Sequence, residues 1–262
     1  MAKILYAGDS SLSSAAAYLG GVMAHAGLRF DYVPSGRRLP QGFAKRGYGL
    51  FILSDYPAGN LRAGEAQAIL AAVRRGAGLL MIGGWASFHG LRAGWGRSPL
   101  AEALPVRILH RDDRVNSSEP VIVQQVCRHP IVDGLPFDRP PCVGGYNRFT
   151  AKPGATTILV GRHLGVSVGR PPQARQSARG DRSGAIRATA GRSSPLLVVG
   201  GFGVGRTAAF ASDAAPHWVG PLVDWGARRT RARAPGASGI EVGHLYAQFF
   251  ARLLRWTMGT IA

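Results

Sequence analysis

Acidic residues are scarce in this chain: 14 Asp and Glu stand against 32 Lys and Arg over 262 residues, a formal charge of +18. Cysteine is scarcer, with only Cys127 and Cys142. Two thiols build neither a disulfide framework nor a four-ligand zinc site, and in a reducing compartment they are expected to be free. Cys127 precedes His129 by two residues, but Pro130 disturbs any shared strand face, so a buried structural thiol is the preferred reading. No apolar run approaches the roughly 18 residues that a membrane span requires. The opening "MAKILYAGDSSLSS" does not read as a signal peptide. The chain is expected to be cytoplasmic, with no membrane contact.

A hydrophobic share of 46% with 8% aromatic residues is globular composition, enough for one large core. The basic excess raises the prospect of a polyanion partner. Much of it falls in two Arg/Gly/Pro/Ser/Ala-rich stretches, 169–193 and 227–238, which read as flexible insertions. Neither interleaves aromatic residues with its arginines, so stacking platforms for single-stranded nucleic acid are missing. Solvated loops are favoured over a nucleic-acid site.

The first half alternates short aliphatic runs with helical segments. "KILYAGD", "RFDYVP", "YGLFILSD" and "GLLMIGG" read as strands. "SLSSAAAYLGGVMAHAG" and "LRAGEAQAILAAVRRGAG" read as helices, the first with serines available for capping and Gly27 to end it. On the second, Ala66, Ile69, Leu70 and Val73 share a face. Such units predict a doubly wound parallel sheet whose ligands sit beyond the strand carboxyl ends. Those ends are Asp9-Ser10, Ser54-Asp55 and Gly83-Gly84-Trp85. The middle of the chain offers extra β segments punctuated by Pro and Gly. "SPLLVVGGFGVGRTAAFASD" reads as a hairpin, so its glycines make a tight turn rather than a phosphate loop. "HLYAQFFARLLRWTMG" reads as a docking helix with Leu245, Phe249, Leu253 and Trp256 inward.

The stretch "GLLMIGGWASFHG" places a Gly-Gly turn after a strand and is expected to lead into a helix. Amides at such a turn can bind an oxyanion. No G-x-S-x-G frame fits it, and counting from Gly83 the nucleophile slot holds Trp85. In "SDAAPHW", His217 is a candidate base oriented by Asp213; the competing reading has Asp213 capping a turn and His217 packed with Trp218. "RDDR" and His129 are too common as patterns to carry a metal claim, and "GYNR" is a similar case, a polar cluster read as a Gly-rich loop that could reach the sheet edge.

Taken in order, "ILSD", "GLLMIGGWASFHG", "HPIVDGLP", "GYNRFTAKPGA", "PLLVVGGFGVGRTAAFASDAAPHW" and the aromatic C-terminal helix resemble the glutamine amidotransferase-like family of cytoplasmic proteins. These are relatives of the class I amidotransferase domain and of ThuA-like proteins. The resemblance implies a single domain over 1–262 with a flavodoxin-like three-layer α/β/α sandwich around a mostly parallel sheet. A working class I domain uses an elbow Cys and a downstream His-x-Glu pair. Here Trp85 and Ser212-Asp213 stand in those places, so loss of glutaminase activity is expected. The expected binding set is Asp55, Gly83, Gly84, Trp85, Phe88, His89, Asn147, Arg148, Asp213, His217 and Trp218, arranged for a small polar, sugar-like metabolite. Self-assembly into a homo-oligomer is a further expectation, and no cofactor or metal is expected. A hydrolase-type enzyme built on His217 with Asp213, or His129 with Asp113, with or without a metal, remains the alternative, followed by polyanion binding through the Arg-rich loops.

Overall fold

The computed structural model describes residues 3–91, 93–169 and 185–262. Nine strands among them form one sheet. Its parallel half comprises β1 (Lys3–Gly8), β2 (Phe30–Val33), β3 (Tyr48–Ser54), β4 (Gly78–Ile82) and β11 (Gly205–Phe210), in the order β2-β1-β3-β4-β11. β1, β3 and β4 are almost wholly buried, which explains why they read as uninterrupted aliphatic runs. The extra β segments extend the same sheet in antiparallel fashion. Beyond β11 come β10 (Ala185–Phe202), β9 (Thr156–Gly169), β6 (Arg114–Gln125) and β7 (Cys142–Asn147). The "GYNR" segment, read from sequence as a loop, is thus mostly strand β7.

Right-handed crossovers put α1 (Ala16–His25), between β1 and β2, and α2 (Glu65–Arg74), between β3 and β4, on opposite faces. The C-terminal helix α4 (His244–Thr257) packs beside α1 and against β4 and β11, giving three layers. Its Phe249 and Phe250 meet Phe210 of β11 with ring centroids 5.6 and 5.5 Å apart. As expected, Ile69, Leu70 and Val73 face inward from α2. The serines before α1 do not cap it: the flanking residue is Ala15, and Ser11, Ser13 and Ser14 bond among themselves. The glycine-rich turn at 202–205 joins β10 to β11 with Gly203 at φ 61°, a tight turn as read.

Two expectations about loops change. Residues 170–184, the bulk of the first Arg-rich stretch, lie outside the described residues, and 185–193 begin β10. The second stretch, expected to be flexible, contains β12 (Arg229–Ala232), which pairs with β13 (Ile240–Gly243). Thr230 and Val242 point inward while Arg229 and Arg231 bind Glu241 at 3.4 and 2.8 Å. Alternation of small inward groups with outward charges makes this a strand pair despite its composition.

The aromatic seam under α4 sets a first prediction. Phe250→Ala is expected to lower stability by about 3–5 kcal/mol, read as a shift in the urea midpoint with an unchanged slope.

Candidate functional site

The carboxyl ends of β1, β3, β4 and β11 lie side by side. The strand order reverses between β1 and β3, the switch point at which open α/β sheets place a ligand crevice. Asp9 follows β1 and Asp55 follows β3. Both adopt left-handed backbone, φ 54° and 49°, a conformation that costs non-glycine residues of order 1–2 kcal/mol and clusters at functional positions. The Asp9 amide donates to the Ser54 carbonyl at 2.7 Å, and its carboxylate accepts from the Tyr6 hydroxyl.

Asp213, after β11, is the third carboxylate here. Its Oδ1 accepts the amides of Ala214 (2.5 Å) and Ala215 (3.0 Å), the turn-capping arrangement that sequence offered as the structural alternative. Its Oδ2 lies 3.0 Å from His217 Nε2, yet off the N–H axis, so this fully buried oxygen has no aligned hydrogen bond. The turn-capping by Asp213 is as that alternative had it, but His217 does not pack with Trp218, which is buried on Asn116 instead. Asp213 is wholly buried while the His217 side chain is 52% exposed, so His217 links the buried acids to solvent.

Burial pushes the carboxyls of all three acids up, because charge loses solvation there. Asp9 rises to about 7: burial dominates, the Tyr6 hydroxyl opposes it, and Asp55 adds repulsion. Asp213 lies well above the usual range through burial, then Asp9, then Asp55. Asp55 rises by burial, offset by the amides of Ala86 and Trp85 and by His217. Tyr6 and Tyr246 are also pushed up, chiefly by burial, and stay neutral donors. The strand ends therefore carry three acids whose carboxyls are all pushed above their ordinary range.

The segment after β4 does not open a helix. It runs through turns in which side chains hold the amides of Gly84, Ala86, His89 and Gly90, while Gly83 and Leu91 donate to carbonyls. Ala86 donates to Asp55 Oδ1 at 2.7 Å. Gly84 donates to Asn147 Oδ1 at 2.8 Å, and Asn147 Nδ2 returns a bond to the Gly84 carbonyl at 3.2 Å. His89 and Gly90 donate to Asp113 at 2.9 Å each, and Asn147 Nδ2 ties to Asp113 at 2.8 Å. Ser87 Oγ accepts the Asp55 amide at 3.0 Å. Gly84, at φ 150°, is required: a Cβ there would lie 2.1 Å from Asp55 Oδ1.

Trp85 occupies the nucleophile slot, 48% exposed, with the Arg114 guanidinium 4.5 Å above its ring. Two bonds to Asp112, 2.9 and 2.7 Å, hold Arg114 flat. The expected binding set thus divides. Asp55, Asp213 and His217 interact at the strand ends, and exposed Trp85 and partly buried His89 stand on the adjoining loop. Gly83, Gly84 and Asn147 are buried supports. Phe88 is buried against Phe149, and Trp218 is buried with its Nε1 on Asn116 Oδ1. Arg148 is exposed, and its amide binds the Asp113 carbonyl. The alternative pair separates: His129 stacks edge-on against Trp256, while Asp113 is spent on the loop. Asp9 carries no motif in the sequence, and only its place at a strand end marks it. Among the described residues, no group of three or more His, Cys, Asp and Glu could hold a metal ion, and both thiols are free. No described helix is long and apolar enough to cross a membrane.

A carboxyl with a raised native pKa binds its proton more tightly folded than unfolded, so its contribution favours the fold at low pH and is lost as pH climbs through the native value. Asp9→Asn, which cannot ionise, is therefore expected to gain thermal stability relative to the parent as pH rises from about 4 through about 7. Parallel melting curves across that window would show that Asp9 does not titrate there.

The profile of a family described as "Putative glutamine amidotransferase" matches residues 30–170 and 173–231. Among solved structures, cytoplasmic proteins STM3548 and STM1381 of Salmonella typhimurium are both 24% identical with a TM-score of 0.70. Each alignment covers 97% of this chain, and 98% and 99% of theirs. A ThuA-like protein from Bacteroides uniformis is 12% identical, covering 98% of this chain and 91% of its own, with a TM-score of 0.50. At these identities the likeness speaks for the fold. No curated protein matches this chain in sequence.

Proposed function

Because the chain belongs to the glutamine amidotransferase-like family while an indole fills its elbow, we propose that it is a non-catalytic member that binds a small, hydroxyl-rich, sugar-like metabolite at the strand ends. The observation that carries this reading is the bond from the Ala86 amide to Asp55. The amide after the nucleophile is the one that steadies the oxyanion in elbow enzymes. Here an internal carboxylate already fills it. A tetrahedral oxyanion has no donor at that position, and no thiol stands beside it to form an acyl intermediate.

The same features suit recognition. Acids pushed above their ordinary range offer both acceptors and O–H donors to hydroxyl groups. Trp85, flattened under Arg114, provides an apolar face for a sugar ring, and His217 offers a polar rim. The 3.0 Å approach of His217 to Asp213 supports a second reading, an acid–base enzyme with His217 as proton carrier.

Purified protein is expected to release no ammonia from glutamine, and Trp85→Cys is expected to stay inactive because Asp55 still holds the Ala86 amide. Glutaminase activity in either protein would refute the proposal. A thermal-shift panel of sugars, polyols and sugar acids is expected to yield a stabilising ligand whose effect weakens in Trp85→Ala. An active hydrolysis panel abolished by His217→Ala would favour the second reading.

A further inference from the structure

A second hollow lies away from the strand ends, between the end of α1, the start of β12 and the exposed side of α4. Its volume is about 540 Å³, within the range of small-molecule sites. His244, Gln248, Arg252 and Arg255 line it from α4, at spacings that place them along one helix face. His25 closes it from α1 and Arg228 from the hairpin.

The lining holds three arginines and no carboxylate. Among the described residues none of the three has an acid within ion-pair distance. This contrasts with the neighbouring Arg229 and Arg231, whose charges are spent on Asp224 and Glu241. Arg252 and Arg255 are braced instead by backbone: Arg252 donates to the Asp133 carbonyl, and Arg255 to the Ala26 carbonyl at 3.0 Å. Each bracing bond uses one guanidinium nitrogen of the fork and leaves further donors. The Ala26 carbonyl closes the negative end of α1, so Arg255 also offsets the dipole that would repel an anion. His244 is fixed by contacts between its Nδ1 and the Arg228 backbone, at 3.3 Å to the amide and 3.2 Å to the carbonyl.

We propose that this hollow binds the phosphoryl group of a small metabolite, with Arg228 and Arg255 as its principal donors and Arg252 alongside. Guanidinium forks match the geometry of phosphate oxygens, and two or three converging on one hollow fit a phosphate or diphosphate better than a single carboxylate. The site is independent of the strand ends and of the function proposed for them.

Calorimetric titration with inorganic pyrophosphate tests this. The parent chain is expected to bind it, and Arg228→Ala, whose side chain makes no hydrogen bond or ion pair among the described residues, is expected to weaken binding about tenfold. Arg228→Ala/Arg255→Ala should lose binding, with unchanged circular dichroism confirming the fold. Arg229→Ala/Arg231→Ala, with the same charge loss outside the hollow, should bind as the parent does. Absence of binding by the parent, or equal weakening in the two double variants, would overturn the proposal. So would a DNA duplex that binds the parent and the groove variant alike while pyrophosphate binds neither.

Discussion

The bond between the Asp55 carboxylate and the Ala86 amide governs this site. It forms because Asp55 leaves β3 in left-handed backbone, because Ser87 Oγ accepts the Asp55 amide, and because Gly84 has no Cβ to obstruct the carboxylate. The turn after β4 is consequently closed from within. A surface of the kind that binds a reacting oxyanion in enzymes is used here to satisfy an internal anion. Asn147 and Asp113 complete the arrangement by holding Gly84, His89 and Gly90. Three side chains from distant parts of the chain, Asp55, Asp113 and Asn147, thus fix one short loop.

That closure has an electrostatic consequence. Burial raises all three acids; the Asp55 charge adds to the rise of Asp9, and those of Asp9 and then Asp55 add to the rise of Asp213. Like charges in a buried site disfavour joint ionisation, which adds to the effect of burial. Strain at two strand ends and poorly solvated acids both oppose folding, and the aliphatic strands and the aromatic seam under α4 offset them. Features of this kind at the carboxyl edge of the sheet support the binding role proposed for that edge. The net charge of +18 is distributed differently, over the surface, the α4 hollow included.

Much of the architecture was legible in the residues. Strands β1, β3 and β4 are apolar runs because both faces are covered, and the β10–β11 hairpin follows from two aliphatic stretches around a glycine turn. The apolar face of α4 follows from helical spacing, although Tyr246, Phe250 and Leu254 widen it beyond the expected four positions. What escaped was long-range. Nothing near Gly84 announces Asn147, 63 residues away, or that Asp55 reaches Ala86 across 31. Asn147, Phe88 and Trp218 looked like ligand contacts because polar and aromatic residues near glycines suit both a binding surface and its support; burial separates the two roles. The hairpin at 229–243 was obscured by arginine content, which masks the inward alternation of Thr230, Ile240 and Val242.

Hydrogen exchange at the Ala86 amide, followed by NMR in the parent and in Asp55→Ala, probes the closure directly. The account predicts strong protection of this amide in the parent and its loss in the variant, while the Gly84 amide stays protected through Asn147. Rapid exchange at Ala86 in the parent would contradict it, because an open amide at that position leaves the elbow available for an oxyanion.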